Sequence, residues 1–313
     1  MTELLTTVIG TYPLDNYNAA PEQPRLLSGE QAIRRAVEDQ IAAGVKLISD
    51  GEVRSEMVGL FAAKLPGYHL RKGEGSGRQM GGWHLNKRVE PAPEPIAVND
   101  YLYARKLAGD RAEVKAIITG ATTMAMSTTL DPEAPYKHNL DPELILDIAR
   151  ALAEEAKQLR KAGCRVIQVD EPVMAYGADV SLTISADSLI WKEAEFPVLH
   201  CCGDTRNVLM QLLAAPIAAL EVEGKYIPDI PLANHALLGA KGLKIGYGCI
   251  NTAKNDVETV EYLVKQIRIG VEQLGIENMW VNPDCGMRLR KRDAAFAKLK
   301  NMCQAARIVI EAG

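Results

Sequence analysis

The stretch "DPELILDIARALAEEAKQLRKAGCRVIQVDEP" (residues 141–172) contains one complete structural unit. Residues 141–163 read as an amphipathic helix, with Asp141 at the N-cap and Pro142 at the first helical position, where its missing N–H is no loss. Residues 165–172 then run as a short β-branched strand that stops at two carboxylates. The same alternation recurs in both directions along the chain. Strand-like runs are "TTVIGTYP" (6–13), "VKLISDGE" (45–52), "VKAIITGATT" (114–123), "FPVLHCCG" (196–203), "IAALEVEG" (217–224), "LKIGYGCIN" (243–251) and "NMWVNPDCG" (278–286). Helical patterns fall between or after them, including 28–44, where Ser28 can cap and Gly44 can close, 56–64 and 293–311. Near-continuous apolar strands suit a parallel sheet covered by helices. Eight such units in a chain of 313 residues predict an α/β fold of the (β/α)8 TIM-barrel class. An open doubly wound sheet is the alternative. We expect a single catalytic domain over 1–313. Its irregular insertion after the second strand–helix unit is the Gly-, Pro- and charge-rich stretch 66–95, read as a hairpin or lid. A second long loop, 13–27, follows strand one.

Bulk properties narrow the function classes. A formal net charge of -4 lacks the basic footprint of a nucleic-acid binder. Apolar runs fall short of the roughly 18 residues of a membrane span, and the N-terminus has no basic region of a signal peptide. Six cysteines scattered through a chain of this length read as reduced thiols in a cytoplasmic protein rather than a disulfide framework. The glycines of 66–95 lack the strand-before, helix-after setting of a phosphate loop.

In a barrel, the C-terminal ends of all strands face one mouth, where chemistry is done. Those ends carry Thr11, Glu52, Thr122, Thr123, Asp170, Glu171, His200, Cys202, Glu221 or Glu223, Asn251 and Cys285. His200, Cys202, Cys285 and a glutamate of strand six offer one nitrogen, two sulfurs and an oxygen, a set that suits tetrahedral zinc. Taken singly, each has a plainer reading: a satisfied core histidine, small buried thiols, an exposed strand end. Cys164, Cys201 and Cys303 are best read as small hydrophobes. A metal rich in thiolate ligands is a poor source of hydroxide but a good template for another thiol, which it deprotonates near neutral pH. Glu52 and Asp170 can hold an α-ammonium group, and backbone N–H groups around Gly10 and Thr11 a carboxylate. These features together describe a site for an amino acid that ends in a thiol.

"TTVIGTYP", "SDGEVRSEMV", "ITGATTM", "VIQVDEPVM", "LHCCGD", "ALEVEG" and "WVNPDCGMR" resemble successive strand ends of the cobalamin-independent methionine synthase family, in its C-terminal catalytic barrel. The resemblance spans nearly the whole chain. It implies a zinc-dependent homocysteine S-methyltransferase that makes methionine. The implied zinc ligands are His200, Cys202, Glu221 and Cys285, with Glu221 preferred to Glu223 because it aligns with the family's "LE". The implied homocysteine contacts are Ile9, Gly10 and Thr11 at the carboxylate and Glu52 and Asp170 at the amino group. Three departures bear on the methyl donor. We expect no counterpart of the family's N-terminal barrel, Ser127 stands where a pterin-stacking tryptophan would fall, and Asn251 stands where the family has a candidate proton-donor histidine. General-acid help contributes about 10²–10⁴-fold, so loss of that histidine suggests a donor whose leaving group needs no proton. The sequence therefore predicts methylcobalamin, free or on a corrinoid protein, with Glu52, Asp170 and Asn251 as candidate catalytic residues. The alternatives are the same reaction with methyltetrahydrofolate, a corrinoid-linked transfer to another thiol, and a non-catalytic corrinoid-binding protein with structural zinc.

Overall fold

The computed structural model describes residues 4–13, 29–70, 82–226 and 238–312. The unit that opened the reading is present almost as expected. Helix α5 (Pro142–Lys161) begins at Asp141, whose carboxylate accepts the Glu143 N–H, and the chain turns at Gly163 with φ +88°. Strand β8 (Val166–Asp170) follows, buried along its whole length. Helix α1 (Gly29–Ala43) ends at Gly44 with φ +96°, a conformation open to glycine at no steric cost. Its expected cap Ser28 and most of the 13–27 loop lie outside the described residues.

A seven-stranded parallel sheet runs in the order β1 (Leu5–Thr6), β12 (Met279–Pro283), β11 (Lys244–Ile250), β10 (Ala219–Glu223), β9 (Phe196–His200), β8, β6 (Ala116–Thr119). The gap between β6 and β1 is bridged by β2 (Leu47–Ile48). That strand pairs with β5 (Glu113–Val114), which leads directly into β6, and its Leu47 bridges Thr7 just after β1. Eight strand positions therefore close on themselves, and the open-sheet alternative is excluded. Several strands are shorter than the apolar runs that encode them. Residues 7–13 leave β1 to line the mouth, with the Tyr12 N–H donating to the Gly51 carbonyl at 2.9 Å.

Side chains alternate between the barrel interior and the helical shell. At the bottom, Leu47, Val166, Val198, Ala219 and Trp280 form a small apolar plug. Outside the strands, α1, α5, α3 (Val98–Ala108), α6 (Val180–Trp191), α8 (Val260–Leu274) and α9 (Arg292–Ala312) contribute to the main apolar core. Among the described residues no helix is long and apolar enough to cross a membrane.

Within the 66–95 stretch, β3 (Tyr68–Leu70) and β4 (Trp83–Leu85) pair antiparallel, and β4 adds β7 (Thr128–Leu130) in parallel. His69 and His84 grip the two oxygens of Asp131 at 3.1 Å each, which ties the hairpin to the segment after β7. Residues 71–81 lie outside the described residues.

Candidate active site and metal centre

The interior alternation decides which polar strand ends meet. Asp170 on β8 is in register with His200 on β9, and His200 is in register with Glu221 on β10. All three are in register across the sheet, with His200 and Glu221 two residues past Val198 and Ala219 of the apolar plug and Asp170 four past Val166. Cys202 follows His200 at the same parity, whereas Cys201 is fully buried on the other side of the chain. Cys285 comes from the turn after β12. One ligand atom from each of His200, Cys202 and Cys285 lies within 4.8 Å of the others.

Physical chemistry at this cluster fits a metal. His200 is 2% exposed, its Nδ1 faces the Glu221 carbonyl at 3.1 Å, and its Nε2 has no hydrogen-bond partner. A backbone carbonyl on one ring nitrogen orients the ring and leaves the other as a ligand. Burial lowers the imidazole pKa, but Cys285, Asp170 and Glu221 outweigh it and lift His200 to about 9. The Cys285 thiol is pushed up by Cys202 beside it and by burial. Two thiols and an imidazole crowded together gain most from a dication that stabilises their metal-binding forms. The donor set matches zinc.

Glu221, the fourth expected ligand, stands apart from that cluster. Its Oε1 accepts from Lys115 Nζ at 2.8 Å, both side chains are fully buried, and its Oε2 has no partner. Glu223, the alternative, is one interior level higher. Its carboxylate accepts from the Gly203 N–H at 2.8 Å and pairs with Lys225 at 2.6 Å.

Above the cluster opens a cavity of about 620 Å³, lined among others by Ile9, Thr11, Glu52, Asp170, His200, Cys202, Asn251 and Cys285. Glu52 adopts φ 44°, a region uncommon for residues other than glycine. It is held there by Asp50, which accepts the Glu52 N–H, and by Arg288, which donates to the Glu52 and Ser55 carbonyls. Burial and the neighbouring Asp170 charge raise Glu52 to about 8, and burial raises Asp170 as well. Gln168 fastens Asp170 by donating to its Oδ1 at 2.5 Å and to the Ile9 carbonyl at 2.8 Å. Gly10 packs so closely against this pair that an added Cβ would strike Glu52 Oε2. Asn251 lines the rim, but its Oδ1 is occupied by the Ala253 N–H at 2.8 Å.

Three strand-end residues do not reach the mouth. Thr122 and Thr123 form the first turn of α4 (Ala121–Met126), and their N–H groups donate to the buried Glu171 carboxylate at 3.0 Å. Glu171 is one residue past Asp170 and so points outward, against Asp187 of α6. Sequence reasoning missed Lys115, Gln168, Asp284 and Arg288. The first two left a signal, as single polar residues inside otherwise apolar strands.

Comparison with known proteins bears on the family and the fold. The catalytic-domain profile of the cobalamin-independent synthase family matches residues 4–308. The methionine synthase of Methanothermobacter marburgensis is 35% identical over 97% of this chain and 99% of its own. That of Methanocaldococcus jannaschii is 34% identical over 98% and 99%. Among solved structures, a B12-independent methionine synthase from a Shewanella species, in complex with selenomethionine, covers 99% of this chain and 98% of its own with a TM-score of 0.81 at 22% identity. The fold of the "putative vitamin-B12 independent methionine synthase" from Listeria monocytogenes also matches, with a TM-score of 0.74 at 17% identity over 99% and 98% of the two chains.

The matching family is cobalamin-independent by description, which overturns the expectation of methylcobalamin as donor and cofactor, and with it the corrinoid protein as partner. That expectation rested on three departures, two of them missing side chains, and neither side chain carries the weight. Ser127 is the C-cap of α4 and does not line the cavity. Nor does the loss of a histidine at Asn251 leave the mouth without an acid. Glu52, Glu56 and Asp284 line the same cavity with carboxyls that burial holds above their ordinary range. With the profile matched from residue 4 to residue 308, the chain belongs to the cobalamin-independent methionine synthase family through its catalytic domain.

Proposed function

We propose that the barrel mouth transfers a methyl group to the thiol of L-homocysteine, giving methionine, with methyltetrahydrofolate as donor. In this reading zinc is held by His200, Cys202, Cys285 and Glu221. The observation that carries it is the convergence of three ligand atoms within 4.8 Å on a cavity that also contains the Glu52–Asp170 carboxyl pair. Zinc on a thiolate-rich set would bind the substrate thiol and present it as a nucleophile near neutral pH.

The chain's own groups do the rest. Glu52 and Asp170 receive the α-ammonium, and the Ile9–Gly10–Thr11 backbone the carboxylate, so the amino acid is fixed at one end and its sulfur points at the cluster. Holding both ends converts a bimolecular encounter into a positioned one. In overall balance the donor's N–CH3 bond breaks, the S–CH3 bond forms, the thiol loses its proton and the departing folate nitrogen gains one. Glu56 and Asp284, rim carboxyls whose pKa burial raises, are the groups placed to relay that proton, and Asn251 and Thr252 shape the donor side. Relatives of nearly the same length that carry the name methionine synthase support the assignment.

The test is methionine formation from homocysteine and methyltetrahydrofolate by zinc-replete, zinc-stripped and zinc-restored protein. Activity that is lost and regained with the metal is expected. Zinc-replete protein that forms no methionine from this pair would refute the reading. A thiol without an α-amino group, 2-mercaptoethanesulfonate, should react at least about 100-fold more slowly, because the buried carboxyl pair would face no cation.

A further inference from the structure

The level of the barrel that carries His200 also contains a buried ion pair that the transfer reaction does not by itself require. Lys115 lies between β5 and β6 and is 1% exposed. Its side chain crosses the interior to Glu221 on β10, with β8 and β9 intervening in the sheet. Room for Glu221 to lie across the barrel comes from Gly246 on the adjacent strand. An added Cβ there would meet Asn282 Oδ1 at 2.5 Å and Glu221 Cγ at 2.6 Å. The carboxylate is thus divided: Oε1 belongs to Lys115, and Oε2 is buried without a partner.

We propose that Lys115 is a positioning residue that keeps one oxygen of Glu221 engaged, leaving Oε2 alone to serve the His200–Cys202–Cys285 cluster and allowing Glu221 to withdraw from it when a substrate sulfur arrives. The inference rests on the zinc-thiol reading above. Its physical basis is the high cost of an uncompensated charge in a barrel interior. A glutamate whose sole counter-charge is the metal cannot give that metal up. A glutamate already paired to a buried lysine can, because it retreats to a partner at 2.8 Å. Lys115 therefore makes the fourth ligand exchangeable while His200, Cys202 and Cys285 stay in place. It touches neither substrate sulfur nor methyl group.

The experiment compares wild type, Lys115→Met, Glu221→Gln and the double variant, each loaded with zinc for X-ray absorption or with cobalt(II) for visible spectroscopy, and titrated with homocysteine. In the wild type, homocysteine should replace an oxygen neighbour of the metal with a sulfur. In Lys115→Met the oxygen should persist, with at least a tenfold rise in homocysteine Kd and zinc held no more weakly against a chelator. Glu221→Gln and the double variant should have the same homocysteine Kd, since Lys115 acts only through the carboxylate. The double variant removes both buried charges, so its comparison with Glu221→Gln still decides the matter if Lys115→Met alone does not fold. A wild-type spectral response and Kd in Lys115→Met, or a difference between Glu221→Gln and the double variant, would overturn the role of Lys115. A wild-type metal site that does not respond to homocysteine would instead overturn the functional reading itself.

Discussion

The Glu52–Asp170 pair makes a prediction that involves no metal. Glu52 is lifted from 4.5 to about 8 by burial and by the Asp170 charge, with Arg288 opposing. An α-ammonium between the two carboxyls supplies a counter-charge that offsets both burial and the Asp170 repulsion, so binding an amino acid at neutral pH should release a proton. Methionine is the right probe, since it has the ammonium and carboxylate but no thiol to titrate. With a folded pKa near 8, about 1% of Glu52 is ionised at pH 6, about 9% at pH 7 and about half at pH 8. Methionine should therefore bind about 50-fold more tightly at pH 8 than at pH 6, equivalent to about 2.3 kcal/mol at about 1.4 kcal/mol per tenfold. Calorimetry in two buffers of different ionisation enthalpy should record release of close to one proton at pH 7 and about half a proton at pH 8. Glu52→Gln should flatten the pH dependence and weaken binding at pH 8. A methionine Kd that does not change between pH 6 and pH 8 would refute the assignment of this pair to the amino group.

Other outcomes follow from single contacts. Asp187→Asn should stabilise the protein at alkaline pH. Burial holds Asp187 near 7, so the wild type loses stability as pH rises from about 4, where the unfolded chain ionises, to 7, and the loss persists above that. An amide can still accept the Ala121 N–H while donating to Glu171, and melting curves at pH 5 and pH 8 should separate by about 1–4 kcal/mol in the variant's favour at the higher pH. Gly10→Ala would press a methyl group against Glu52 and within 2.5 Å of Ile117, and methionine affinity should fall at least about tenfold while zinc content is unchanged. Losing an outer-shell partner of a metal ligand already costs about 10–100-fold in affinity, so Cys285→Ser should exceed that in a chelator competition and remain folded by circular dichroism.

What the sequence made legible was set by strand parity. Asp170, His200 and Cys202 could be placed at one mouth because apolar strands of the same kind end there, and residues two apart share a face. The same rule, applied one residue further, separates Asp170 from Glu171. The "DEP" turn reads as two carboxylates at the mouth, yet successive side chains must point to opposite faces, and Glu171 instead caps α4 through Thr122 and Thr123. The ring closure was harder to read, because β1 and β2 each keep only two strand residues before their chains turn into the mouth. The methyl donor was misread for a different reason. Missing side chains at 127 and 251 say which residues do not act, and they are silent about carboxyls elsewhere in the chain that burial raises above their ordinary range.

The choice between Glu221 and Glu223 shows where sequence logic stops. Both share a face of β10, and nothing in "LEVE" says which of the two stands at the height of His200. Height comes from register, and register pairs Glu221 with His200 while Glu223 sits against Gly203 and Lys225 above. That level could not accept a glutamate unless something balanced its charge and something made room. Lys115 does the first and Gly246 the second, from strands far apart in the chain. A strand that reads "VKAII" carries a lysine where a barrel interior should be apolar, and this mismatch is the only trace the pair leaves in the sequence. A polar residue out of pattern in one interior strand is thus a reason to look for its complement in another, at the same level.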